Sequence, residues 1–282
     1  HRPGPARVTR RHFRLAPADR DALNQAAHRR GVTPAMSVAT AFAEVLGGWS
    51  GQPRFLLNVP LFDREQVHPD IDRVVGDFTS SVLLDVDLTD QVPFVERARR
   101  VQTRLHADAA HAAFSGVEIL REAGRRRGEQ LLAPVVFTSA LGLGELFDPA
   151  VRDAFGRPEW IISQGPQVLL DAQVTELDGG LLVNWDVRED SFAPGVVDAM
   201  FTAFEGLVRA LATPGSDLAG PDSAWNQPVD GLLDAATRAV RTRVGDVAGP
   251  TSTRLLHEGF FAQAGRRPDA PALLWGGPGG PG

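Results

Sequence analysis

Pro134-Val135-Val136-Phe137-Thr138-Ser139, then Ser163-Gln164-Gly165-Pro166-Gln167-Val168-Leu169-Leu170-Asp171, then Trp185-Asp186 after thirteen intervening residues, form the stretch on which the reading of this 282-residue chain turns. The apolar runs are short, rich in Val and Leu, and bounded by Pro, Gly and Asp, a composition that favours strands. At least three strands are expected to carry these residues into one sheet. Successive side chains of a strand face opposite sides. Val168, Leu170, Ala172 and Val174 then share one face, and Gln167, Leu169, Asp171 and Gln173 share the other. Asp171 is thus expected to point away from the apolar face. By the same rule Val136 and Thr138 lie opposite Val135, Phe137 and Ser139.

The chain is long enough to bury a sizeable core. Its 43% apolar and 23% charged content is ordinary for a globular protein. A formal charge of −6 and a pI near 5.7 speak against nucleic-acid or anionic-membrane partners. Cysteine is absent, which removes disulfides and thiolate chemistry. No signal sequence and no apolar run of membrane-spanning length is visible, so a cytoplasmic location is expected. The start at His1 and the Gly- and Pro-rich end read as cuts through a longer polypeptide.

Outward from the opening stretch, the N-terminal side reads as a strand over 9–15 and a helix over 18–30 stopped by Gly31. A second helix is capped by Thr33, with Pro34 in its first turn and Val38, Phe42, Val45, Leu46 and Trp49 as its buried stripe. A buried strand follows over 55–60. A turn at Gly76-Asp77 leads into Val82, Leu84 and Val86 alternating with Leu83, Asp85 and Asp87. Asp77 is read first as a residue that bonds its own turn. The longest helix covers 93–112, with Phe94, Ala98, Val101, Leu105 and Ala109 inward and Arg97, Arg100 and Arg104 solvated. His106 and His111 diverge on that helix, and no metal site is expected. Ser115 and Glu118 make a capping box for a helix ending within 124–128. Gly142-Leu143-Gly144 lacks a third glycine and a following helix, so no nucleotide-binding turn is read there. A helix from Pro194 carries Val197, Met200, Phe201, Phe204, Leu207 and Leu211 as an apolar stripe. Beyond Thr213 the composition turns to linker residues, with a short helix over 231–244.

These segments resemble the heterocyclization domains of nonribosomal peptide synthetases, a branch of the condensation-domain superfamily that makes thiazoline and oxazoline rings. The resemblance rests on the two motifs quoted first and their Trp185-Asp186 sequel, on Gly76-Asp77-Phe78-Thr79 with Leu83-Leu84, and on Thr33-Pro34 with Val45-Leu46 and Trp49. The chain departs at Gly165, where the family usually has Thr. Ala224-Trp225-Asn226 resembles the element that follows such domains, and residues 255–275 resemble the opening of an adenylation domain. The implied organisation is a C-terminal lobe over 1–212, a linker with a short helix over 213–254, and the start of an adenylation domain over 255–282. The implied fold is an α/β two-layer open-faced sandwich, one lobe of a chloramphenicol-acetyltransferase-like (CoA-dependent acyltransferase-like) pair with a tunnel between the lobes.

The reaction implied by the resemblance joins an acyl thioester on an upstream peptidyl carrier protein to the amine of Cys, Ser or Thr on a downstream one. The side-chain thiol or hydroxyl then adds to the new amide carbonyl, and loss of water closes the ring. Addition needs a base and dehydration an acid. One carboxyl group can serve both steps if partial burial raises its pKa. Asp171 is assigned that role, with Thr138 positioning the reacting oxygen or the carboxyl group. Gln167, Asp186, Asp77, Thr79 and Ser139 are assigned to substrate binding or support, all by matching motif positions. No cofactor is expected on the chain itself; the phosphopantetheine arms of the carriers present the substrates. The other implied partners are the N-terminal lobe of the same domain and the adenylation domain. Two further readings stay open: a condensation domain that stops at the peptide bond, and a non-catalytic scaffold. The second-lobe motifs favour cyclization, and a fragment lacking half its tunnel is expected to be inactive alone.

Overall fold

Phe13 and Leu15 alternate with charged residues, so the first strand, β1 (Val8–Leu15), can bury one face and leave the other polar. The computed structural model describes residues 7–62, 66–157, 159–163, 165, 167–213, 223–245 and 256–269. Of the motifs above, Gln164 and Pro166, parts of the linker, and residues 255 and 270–275 lie outside the described residues. Two helices follow the first strand, α1 (Pro17–Arg29) and α2 (Pro34–Trp49). Next come β2 (Arg54–Leu61), β3 (Ser80–Asp87), α3 (Phe94–Ala109) and α4 (Gly116–Arg127). The chain continues through β4 (Val135–Ser139), α5 (Pro149–Phe155), β5 (Leu170–Leu177), β6 (Gly180–Arg188) and α6 (Val196–Leu211).

The strands form one six-stranded sheet of order β1-β6-β5-β4-β2-β3. β4 runs parallel to β2 and β5, and the other neighbours are antiparallel. Asp178 (φ 52°) and Gly179 (φ 72°) make the two-residue turn between β5 and β6, whose left-handed backbone matches strand twist. A side chain at Gly180 would meet the Leu15 carbonyl at 2.2 Å, so only glycine lets β1 approach the start of β6.

Helices α1, α2, α3 and α6 cover the sheet face that carries Leu57, Phe137, Ala172 and Trp185. α2 is apolar nearly all round because the sheet, α3 and α6 enclose it. Phe42 meets Trp185 edge-on at 5.3 Å, and Trp185 stacks on Phe204 at 5.1 Å. Burying each such ring is worth roughly 2–3 kcal/mol. Thr33 Oγ1 accepts the Met36 amide at 3.2 Å, and the Ser115–Glu118 capping box is present in full. Together the elements form the two-layer α/β sandwich expected.

Several expectations are corrected. Arg97 is 4% exposed, not solvated: it pairs with Glu44 at 3.1 Å and donates to the carbonyls of Asp87 and Asp90. Its position three residues from Phe94 and four from Val101 already put it beside the apolar stripe. A short helix, α5, does occupy the span after Gly144. On α6 Val208, rather than Leu207, completes the fully buried set. Residues 223–234, expected within a linker, pack on the first unit, which extends to Asp234. Trp225 is 1% exposed, meets Phe94 edge-on at 5.5 Å, lies under the Arg30 guanidinium at 4.9 Å and donates its indole N–H to the Leu211 carbonyl. A second unit, from Ala235 on, contains α7 (Ala235–Gly245) and α8 (Leu256–Arg266). Among the described residues, no helix is long and apolar enough to cross a membrane.

Candidate active site

Trp185 and Asp186 are consecutive on β6, so one faces the helices and the other the open side of the sheet. The ring of Trp185, buried among Phe42, Phe201 and Phe204, anchors the strand that holds Asp186 in place. Across the antiparallel ladder Asp186 is paired with Asp171 of β5, and across the parallel ladder Val136 of β4 is paired with Asp171. Thr138 pairs with Gln173 one step along. The four side chains of Thr138, Asp171, Gln173 and Asp186 thus converge on the polar face, as the alternation requires for the first three.

Thr138 Oγ1 donates to Asp171 Oδ1 at 3.0 Å, and Gln173 Nε2 donates to Asp171 Oδ2 at 2.6 Å. Burial pushes the Asp171 carboxyl above the usual carboxylate range. The donors Gln173 and Thr138 pull it back, the neighbouring Asp186 charge pushes it up, and Arg10 pulls it down. Asp186, its side chain 2% exposed, is held by Arg10 in a two-pronged ion pair of 2.7 and 2.6 Å. The Ser163 amide donates to Asp186 Oδ2 at 2.7 Å and ties the segment before β5 to the sheet. Thr138, Asp171 and Asp186 line a cavity of about 150 Å³, closed by Val136, Val168, Ser163 and Gly165. A Cβ at Gly165 would come within 2.8 Å of the Val168 side chain, so glycine here leaves room at the cavity wall.

The other candidates lie apart from this pair. Ser139 sits on the same strand as Thr138 but alternates to the other side, and its Oγ accepts the Leu141 amide at 3.4 Å. Asp77 accepts the Thr79 amide at 2.9 Å in the exposed loop before β3, which holds its carboxyl below the usual range. Gln167 is exposed and lines a second cavity of about 610 Å³ with Asn58, Arg121 and Leu131; the two cavities share Val168. Asn58 Oδ1 is buried there with no hydrogen-bond partner among the described residues. Sequence reasoning gave no role to Arg10, Gln173 or Asn58. Alternation had already placed Gln173 beside Asp171, whereas Arg10 needed the register Arg10↔Asp186, which no local pattern supplies.

A family profile, Condensation domain, matches residues 4–220. The chain is 58% identical over 269 residues to phenyloxazoline synthase MbtB of Mycobacterium tuberculosis, covering 95% of this chain and 18% of that protein. It is 40% identical to pyochelin synthetase PchE of Pseudomonas aeruginosa, again over 95% of this chain and 18% of that protein. The chain thus spans about a fifth of the length of these curated relatives. Among solved structures, a nonribosomal peptide synthetase, FmoA3, superposes with a TM-score of 0.74 at 40% identity over 94% of this chain and 28% of that one. The EpoB cyclization-docking bidomain of Sorangium cellulosum gives 0.65 at 38% identity over 73% of this chain and 42% of that one. The first condensation domain of the CDA synthetase, 21% identical with a TM-score of 0.60, shares the fold. By profile, identity and fold, the chain belongs to the condensation-domain family.

Proposed function

We propose that this chain is part of a nonribosomal peptide synthetase and contributes the ring-closing half of a heterocyclization site, which condenses a carrier-bound acyl thioester with carrier-bound Cys, Ser or Thr and then cyclodehydrates the product to an azoline. The observation that carries the reading is the Thr138–Asp171 hydrogen bond, 3.0 Å, with a carboxyl group that burial has moved toward neutrality at the wall of a cavity. Such a group can take a proton from the attacking thiol or hydroxyl and return it to the departing oxygen. Two of the relatives support the choice of ring closure by their names, a phenyloxazoline synthase and a cyclization bidomain.

In this reading Thr138 and Asp171 are the catalytic pair and Asp186 supports them. Ser139, Asp77 and Thr79 shape the surrounding backbone, and Gln167 meets substrate from the second cavity. Carrier proteins deliver both substrates on phosphopantetheine arms, and a second lobe of the same domain supplies the facing wall. Residues 255–275, which resemble the opening of an adenylation domain, lead into that domain. The setting is the cytoplasm, where such thioesters are made. The test is mass spectrometry of the carrier-bound product formed by the synthetase bearing this chain. A product one water lighter than the linear amide supports the proposal; a linear amide alone from the unaltered protein contradicts it.

A further inference from the structure

Gln173 touches both carboxylates of the polar face, and its amide has little freedom to turn. Nε2 donates to Asp171 Oδ2 at 2.6 Å and lies 3.4 Å from Asp186 Oδ2. Oε1 accepts Asn184 Nδ2 at 3.1 Å and lies 3.4 Å from Arg10 Nη2. Rotating the amide by half a turn would set its oxygen against two carboxylates and its hydrogens against two donors, so all four contacts would turn repulsive. Asn184 is 2% exposed and Asp186 4%, so the mismatch at those two partners would be shielded from water.

We propose that Gln173 is a positioning residue that fixes which oxygen of Asp171 carries the exchangeable proton, and that the Arg10–Asp186 ion pair and Asn184 hold its amide in that setting. The inference rests on the ring-closing role of Asp171. An amide NH₂ can only donate, so Asp171 Oδ2 stays an acceptor in both states of the carboxyl group. A carbonyl oxygen accepts better than a hydroxyl oxygen, so this contact favours the proton on Oδ1, the oxygen that faces Thr138. A hydroxyl can accept as well as donate, so Thr138 turns to receive that hydrogen bond and frees its own hydrogen for the reacting oxygen. The charged groups facing Asp171 are Asp186 and Arg188 from β6 and Arg10 from β1; Arg188 is paired with Asp190 at 3.1 Å. Glu159 and His12 line a separate cavity together with Arg10.

The test is the pH dependence of ring closure and of linear amide formation, followed by mass spectrometry, in the synthetase bearing Gln173→Leu. Loss of a donor to the carboxylate disfavours its ionised form, so the base is available only at higher pH. Ring closure should fall about tenfold on the acid side, the size of one charge-assisted hydrogen bond, and recover as pH rises, while linear amide formation keeps its profile. Gln173→Asn, too short to span the gap, should give the same displacement and serves if the Leu variant does not fold. Arg10→Lys keeps the charge on Asp186 but loses one prong, and should displace the curve less. A ring-closure curve that superimposes on the unaltered protein, or that drops equally at every pH, overturns the proposal. Asp171→Asn is run alongside: if it loses ring closure while both Gln173 variants keep the original curve, only the Gln173 inference fails. If Asp171→Asn itself closes rings normally, the role of Asp171 and the inference built on it fall together.

Discussion

Two buried ion pairs, Arg97–Glu44 and Arg10–Asp186, use the same chemical groups and differ in everything around them. The first lies between α2 and α3, and the remaining guanidinium hydrogens go to backbone carbonyls at the end of β3. It closes on itself. The second lies on the open face of the sheet, and Asp186 also takes the Ser163 amide and approaches Gln173 Nε2, which donates as well to the carboxyl at the cavity wall. Burial of a charge pair therefore does not mark a site; what marks it is where the spare hydrogen-bonding capacity leads.

The comparison can be broken most severely at Arg97. Arg97→Met leaves Glu44 buried without a partner and should cost about 3–5 kcal/mol of stability, read by denaturant unfolding. Burial already pushes the Glu44 carboxyl up, so the loss should shrink at low pH as that group takes a proton. A cost under about 1 kcal/mol would put the pair on a level with surface ion pairs. Next in size, Thr138→Ala removes one hydrogen bond from the proposed catalytic pair. Ring closure should slow about tenfold, with linear amide accumulating on the carrier.

A subtler effect concerns stability and pH on the open face. The folded-state pKa of Asp171 is raised, so the native state is favoured by this group below its unfolded pKa, and that advantage is lost as pH rises through the folded value. Asp171→Asn removes the titration. Its melting temperature relative to the unaltered protein should therefore rise from acid toward neutral pH, and a constant difference across that range would contradict the burial argument. The smallest effect is expected for Asp77→Ala, which removes an exposed turn bond. Ring closure should stay within about twofold; a large loss would bring Asp77 into the reaction.

Much of the helix-covered face was legible because its signals are local and periodic. Val82, Leu84 and Val86 on β3, the stripe of α6, and the caps at Thr33 and Ser115 each follow from spacing within one element. The motif positions Thr138 and Asp171 were legible too, and the structure joins them by a hydrogen bond. What stayed hidden depends on pairing between distant strands. Arg10 meets Asp186 only through the register of β1 on β6, 176 positions apart in sequence. Trp225 was visible as a motif, but its burial against Phe94 and Arg30 is a tertiary fact that linker composition conceals.

The central claim is that Asp171 acts after the peptide bond exists, and it is tested most directly by following linear and cyclized carrier-bound products in the synthetase bearing Asp171→Asn. The substitution keeps the shape and removes proton exchange. Ring closure should slow by about a hundred- to ten-thousandfold, as expected for loss of a general acid and base. Amide formation, which depends mainly on holding two thioesters together, should fall far less. Linear product should accumulate, one water heavier than the ring. Normal ring closure, or loss of the linear product as well, would contradict the claim.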